Sequence, residues 1–132
     1  MRICDESPPG SLLQALGEFN RGEWFECHET LEDLWVGEEG EVRDFYQGFL
    51  QVSVALHHWR EGNFGGAVRV LESGIIYLRR VAPVCQRMDV DGLVEQAERW
   101  LIALRAAGAE GMALLDTSLI PRLRLIPSAP EE

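Results

Sequence analysis

The chain has 132 residues, is 46% hydrophobic and 26% charged, and carries a formal net charge of −10. That length fits a single domain with a real core, and no apolar run approaches the roughly 18 residues of a membrane span. The acidity excludes nucleic acid and anionic membranes as main partners, because both need clustered cations.

Residues 1–10 read as a flexible arm ending in Pro8-Pro9-Gly10, without the apolar stretch of a signal peptide. A cytoplasmic setting is expected. The cysteines, Cys4, Cys27 and Cys85, are odd in number and widely spaced. They suggest neither a disulfide framework nor a zinc knuckle, so three reduced thiols are expected.

Ser11 can cap a first short helix carrying Leu12, Leu13, Leu16 and Phe19. Asn20-Arg21-Gly22 then makes a turn. A second helix follows and stops near Gly37. With His28 as the zero direction, Trp24, Phe25, Leu31, Glu32 and Trp35 all fall within about 60° of it. Glu26, Thr30 and Asp33 point the other way. The helix therefore has an acidic back and an apolar front, with His28 and Glu32 embedded in the front as i, i+4 neighbours.

The third helix, about 41–60, has no Asp, Glu, Lys or Arg over 45–59. A helix free of formal charge over that length is buried on most sides and should be central. Phe45, Phe49, Val52, Leu56 and Trp59 form one face. Nearly opposite, Gln51, Val54 and His58 lie within about 40° of Gln47. His57 is about 100° from His58 and is expected to point elsewhere.

Glu61-Gly62-Asn63 breaks the chain. A fourth helix is expected over about 64–82, with Gly74 inside it as a mark of close helix approach or of simple tolerance. A fifth starts near Asp89 or Asp91 and ends at Ala107-Gly108. The tail, 119–132, contains Pro121, Pro127 and Pro130. It reads as an extended strap over the bundle with loose last residues. No strand is required.

One internal echo appears. Gly22-Glu23-Trp24, Cys27 and Leu31-Glu32 match Gly62-Asn63-Phe64, Ala67 and Leu71-Glu72 at a constant offset of 40. That pattern is similar to tetratricopeptide-like hairpins. The expected fold is all-α: a compact bundle of about five helices, two stacked antiparallel hairpins plus a C-terminal helix, with 11–118 as one helical domain.

Ionisable groups on a core face must be satisfied by partners or by a guest. His28 and Glu32 can share a divalent cation through one nitrogen and one oxygen, and His58 could add a second nitrogen. Trp24, Trp35, Tyr46, Gln47, Gln51 and His58 are the expected lining of the pocket. The guest is a divalent metal ion or a small polar ligand. A closed hydrogen-bond network with no guest fits the same spacing, and the two readings stay open. The zinc-protease H-E-x-x-H lacks its second histidine here. The di-iron pattern lacks a glutamate where Phe25 stands. Neither a P-loop nor a G-x-S-x-G elbow is present, so whether the protein is an enzyme stays undecided. The alternative is a tetratricopeptide-like module for a protein partner or a homodimer, with tryptophans along a groove.

The segments FNRGEWFECHETLEDLW and FYQGFLQVSVALHHWREGNFGGA resemble the domain-of-unknown-function 309 family of bacterial and archaeal proteins. Its H-x-x-x-E-x-x-[WY] marker is met by His28, Glu32 and Trp35. Its Y-Q-G-x-x-Q element is met by Tyr46, Gln47, Gly48 and Gln51, and its H-x-x-x-G-N element by His58, Gly62 and Asn63. The resemblance covers about 19–78. It implies a compact helical fold, a cytoplasmic setting and no established activity. It also carries a suggestion of metal binding at the His/Glu marker.

Overall fold

The computed structural model describes residues 3–127. The outermost ends of the expected arm and strap, 1–2 and 128–132, lie outside the described residues. Five helices dominate: α1 (Gly10–Asn20), α2 (Trp24–Val36), α3 (Gly40–Arg60), α4 (Phe64–Arg79) and α5 (Val90–Gly111). Each packs mainly on the next in sequence, α1 on α2, α2 on α3, α3 on α4 and α4 on α5. The fold is a compact all-α stack.

The helices start and stop where the chain chemistry directs. Gly22 and Gly62 both adopt φ 79, the left-handed turn that glycine tolerates. The sequence echo is thus a repeated turn geometry. Asn63 caps α4 by accepting from the Gly66 amide at 3.0 Å, and Asp89 caps α5 by accepting from Gly92 at 3.0 Å. α1 begins at Gly10, one residue before Ser11, after an extended Pro9 that supplies no side-chain cap. α4 ends at Arg79 rather than near residue 82. Gly108, at φ 67, breaks the regular course of α5 close to the expected end.

α3 is the central helix. Val42, Phe45, Tyr46, Gly48, Phe49, Val52, Ser53, Ala55 and Leu56 are buried along it. α4 crosses it at a glycine contact. A Cβ on Gly48 would meet Leu78 Cγ at 2.7 Å and the Gly74 carbonyl at 3.0 Å. A Cβ on Gly74 would meet the Gly48 carbonyl at 3.1 Å and Val52 N at 3.3 Å. Of the two readings open for Gly74, close approach is the one found. Trp59 packs edge-on against both Trp24 and Trp100, with ring centroids 6.2 and 5.1 Å away. Those three rings serve the core.

Two features depart from expectation. A short antiparallel hairpin, β1 (Val84–Cys85) with β2 (Met88–Asp89), stands between α4 and α5. Its turn residues Gln86 and Arg87 have φ 47 and 64, with neither glycine nor asparagine to signal it. The second is a disulfide from Cys4 to Cys85, across 81 residues of sequence; only Cys27 is a free thiol. The arm is tied further, since Gln86 N donates to the Cys4 carbonyl at 2.7 Å and Cys4 N donates to Glu41 Oε2 at 2.6 Å.

The tail lies on the same hairpin. Asp89 N donates to the Arg124 carbonyl and Ile126 N to the Arg87 carbonyl. Asn20 pairs through its side-chain amide with both backbone groups of Leu123, and Gln96 does the same with Arg122.

Two outcomes follow. Cys4→Ser, or reduction, is expected to lower the unfolding free energy by about 2–5 kcal/mol, because the bond closes a long loop. Urea denaturation with and without reductant measures it, and coincident curves would refute it. Gly48→Ala should cost about 1–3 kcal/mol through overpacking at the α3–α4 crossing; an unchanged midpoint would mean the crossing yields freely.

Candidate functional site

The buried side of α2 is not centred on His28. Trp24, Cys27 and Leu31 are its buried residues, which places the buried direction about 70° round the helix from His28. Cys27 explains the turn. Its Sγ sits 3.3 Å from the Ala15 carbonyl and 3.3 Å from Ser53 Oγ, fully buried where α1, α2 and α3 meet. A small thiol lets three helices close on it, and burial pushes its pKa up to about 12. His28 and Glu32 are thereby carried to the border of the core.

There they form an i, i+4 pair, His28 Nε2 to Glu32 Oε2 at 3.1 Å, with side chains 27% and 56% exposed. The Phe25 ring lies between two imidazoles, its centroid 5.7 Å from His28 and 5.5 Å from His57. Trp24, Phe25, His28, Val54 and His57 line a recess of about 160 Å³ between α2 and α3. His57 Nδ1 and Trp24 Nε1 are buried and have no hydrogen-bond partner. The first-named of these was set aside in the sequence reading because it lies about 100° from His58. Phe25, at the edge of the apolar front, was not counted as lining either.

His58 turns to the start of α4, where Asn63 Nδ2 lies 3.3 Å from its Nδ1. Burial, then the charges of His57 and Arg69, holds its pKa below the usual imidazole value. Tyr46 is buried and donates to Gln86 Oε1 at 2.9 Å, holding the hairpin to α3. Gln51 Oε1 is buried without a partner, with its Cβ against the Gly74 crossing.

Trp35 and Gln47 line a second recess, of about 240 Å³, with Arg43, Asp44 and Tyr77. The expected residues therefore spread along the outer side of α3. Trp24 and His28 sit at one end, Trp35 and Gln47 at the other. Arg43, Asp44 and Tyr77 gave no sequence signal; Tyr77 arrives from α4 through the glycine crossing.

Among the described residues, no group of three or more His, Cys, Asp or Glu side chains is placed to hold a metal ion. His28 and Glu32 offer two donors. A cation there would complete its coordination with water or with a ligand.

Residues 12–70 match the family model described as "Domain of unknown function (DUF309)". The chain is similar to the uncharacterized protein YpuF of Bacillus subtilis (strain 168), with 37% identity over 85 residues, 63% of this chain and 49% of that one. It is also similar to an uncharacterized protein of Aquifex aeolicus (strain VF5), with 29% identity over 66 residues, 49% of this chain and 20% of that one. The chain thus spans about half, or less, of the length of the curated relatives it matches. Residues 12–70, which contain α2, α3, all of α1 but its first two residues, and every lining residue of both recesses except Tyr77, are the part of the chain that matches the DUF309 family.

Proposed function

We propose that the protein is a binding module whose recess between α2 and α3 takes a small polar ligand. Phe25, Trp24 and Val54 supply an apolar wall. His28, Glu32 and His57 supply the polar contacts. The observation that carries this reading is His57 Nδ1, a buried ring nitrogen with no partner in a recess that a second imidazole also lines. An unmet buried donor or acceptor costs about 1–3 kcal/mol, and a ligand that draws the His57 ring into the recess and bears the complementary group recovers it. Binding rather than catalysis is supported by the chemistry nearby. The free thiol is buried and protonated at neutral pH, which removes the usual nucleophile.

A divalent cation on His28 and Glu32 is the second reading. It is favoured by the 3.1 Å separation of Nε2 and Oε2, which lets one ion replace the shared proton. A groove for a protein partner has less support, because three of the four tryptophans pack against one another. The charge of −10 supports a partner other than nucleic acid or an anionic membrane. Among the described residues no helix is long and apolar enough to cross a membrane.

A fragment screen by nuclear magnetic resonance should find small polar molecules that shift the His28 and His57 ring signals together. His57→Phe should weaken such hits about tenfold, the value of one hydrogen bond to a buried group. If no fragment touches both rings, the reading fails. Zinc titration separates the cation: it should move the His28 ring, depend on Glu32, and ignore His57→Phe.

A further inference from the structure

The second recess has its own chemistry and does not depend on the one at His28. The Arg43 guanidinium lies 4.3 Å over the Trp35 ring. Stacking of this kind fixes the plane of the guanidinium and leaves its N–H edge free. Among the described residues no carboxylate comes within ion-pair reach of Arg43. Arg60, stacked in the same way 4.6 Å over the Trp24 ring, differs in that it donates to the Gly22 carbonyl at 2.7 Å. The recess has one carboxylate on its wall, Asp44, and it is engaged: Arg80 Nη1 lies 3.6 Å from Asp44 Oδ1. Arg80 in turn stacks 4.6 Å over the Tyr77 ring.

The charges can be summed locally. Arg80 and Asp44 cancel, and Arg43 remains as a single oriented cation. Its neighbours in the recess are the Gln47 amide, which can donate or accept, and the edges of Trp35 and Tyr77. A volume of about 240 Å³ suits a molecule smaller than a drug-sized ligand. A single forked cation matches a planar monoanion. A dianionic phosphate would call for more positive charge than this wall holds, with Asp44 close by.

We propose that the recess formed by Trp35, Arg43, Asp44, Gln47 and Tyr77 binds a small aromatic or otherwise flat monocarboxylate. Arg43 takes both carboxylate oxygens through its fork. Gln47 holds the carboxylate flank, and the flat body packs against the exposed parts of Trp35 and Tyr77. Three helices contribute: α2 gives Trp35, α3 gives Arg43, Asp44 and Gln47, and α4 gives Tyr77.

The test uses the full chain and two probes, benzoate and inorganic phosphate, followed through the Arg43 Nε–H and Trp35 indole N–H signals. Benzoate should give saturable shifts of both. Phosphate should need at least about tenfold more to reach the same shift, since it has no flat body to pack on Trp35 and Tyr77 and its second charge meets Asp44. Arg43→Gln and Arg43→Lys should each weaken benzoate at least about tenfold. The lysine variant keeps the charge but loses the fork. Arg99→Gln, a solvent-facing change elsewhere, should leave binding unchanged. Arg43 is exposed, so its variants are expected to fold, and a far-ultraviolet spectrum checks it. The proposal is overturned if benzoate does not saturate, if phosphate binds as well, or if Arg43→Gln or Arg43→Lys responds like the parent chain.

Discussion

The separation of α3 and α4 governs most of the surface that could act. Gly48 and Gly74 face each other with each backbone carbonyl near 3 Å from where the other's Cβ would stand. Side chains at those positions would push the helices apart. The contact brings α4 alongside the outer stripe of α3, and with it Tyr77 to the wall that Asp44 and Gln47 share. It also presses Gln51 beside Gly74, so its amide oxygen is buried. A glycine inside a helix costs about 1 kcal/mol against alanine. Two glycines at one crossing make sense only if the approach they permit is worth more, through the packing of Leu78 and Val52 that it completes.

The helices were legible because each rests on local chemistry. A charge-free run marks α3 as central, and burial follows along it. The matched turns at Gly22 and Gly62 give the same positive φ in both copies. The hairpin at 84–89 was not legible, for a physical reason. Its turn residues are Gln86 and Arg87, and neither favours a left-handed backbone. They are held there by long-range bonds, Tyr46 to Gln86 across 40 residues and Gln86 to Cys4 across 82. No local pattern encodes such a turn. The Cys4–Cys85 pairing has the same character, because spacing says nothing about two cysteines that four helices separate along the chain.

The site was legible in residue type and not in direction. Periodicity located polar groups on α2 and α3 correctly as unusual. It averaged over a broad apolar front, however, and took His28 as its middle. Cys27 decided the matter: a small, hydrophobic thiol can go deeper than an imidazole, and the helix rotates to bury it. Phe25 and His57 then meet at the rim. The same thiol–hydroxyl contact with Ser53 fixes how α2 lies on α3. A residue read from the sequence only as a reduced thiol thus sets the positions of those that remain candidates.

A disulfide and a cytoplasmic setting pull against each other, because reducing compartments keep thiols free. The bond joins Cys4 to the hairpin that also carries the tail, so both ends of the described chain meet at one place, near the α3 residue Tyr46. The polar stripe of α3 continues from there through Gln47 and Gln51. Were that stripe a closed internal network, its buried amide and ring atoms would satisfy one another. Instead Gln51 Oε1 and His57 Nδ1 on α3, and Trp24 Nε1 on α2, are each buried without a protein partner. Folded chains seldom keep such atoms unmet. A fourth, Gln86 Nε2, lies on the hairpin that Tyr46 holds to α3, so these unmet atoms follow the polar stripe of α3 and what packs on it, and protein groups alone do not close that stripe into a network.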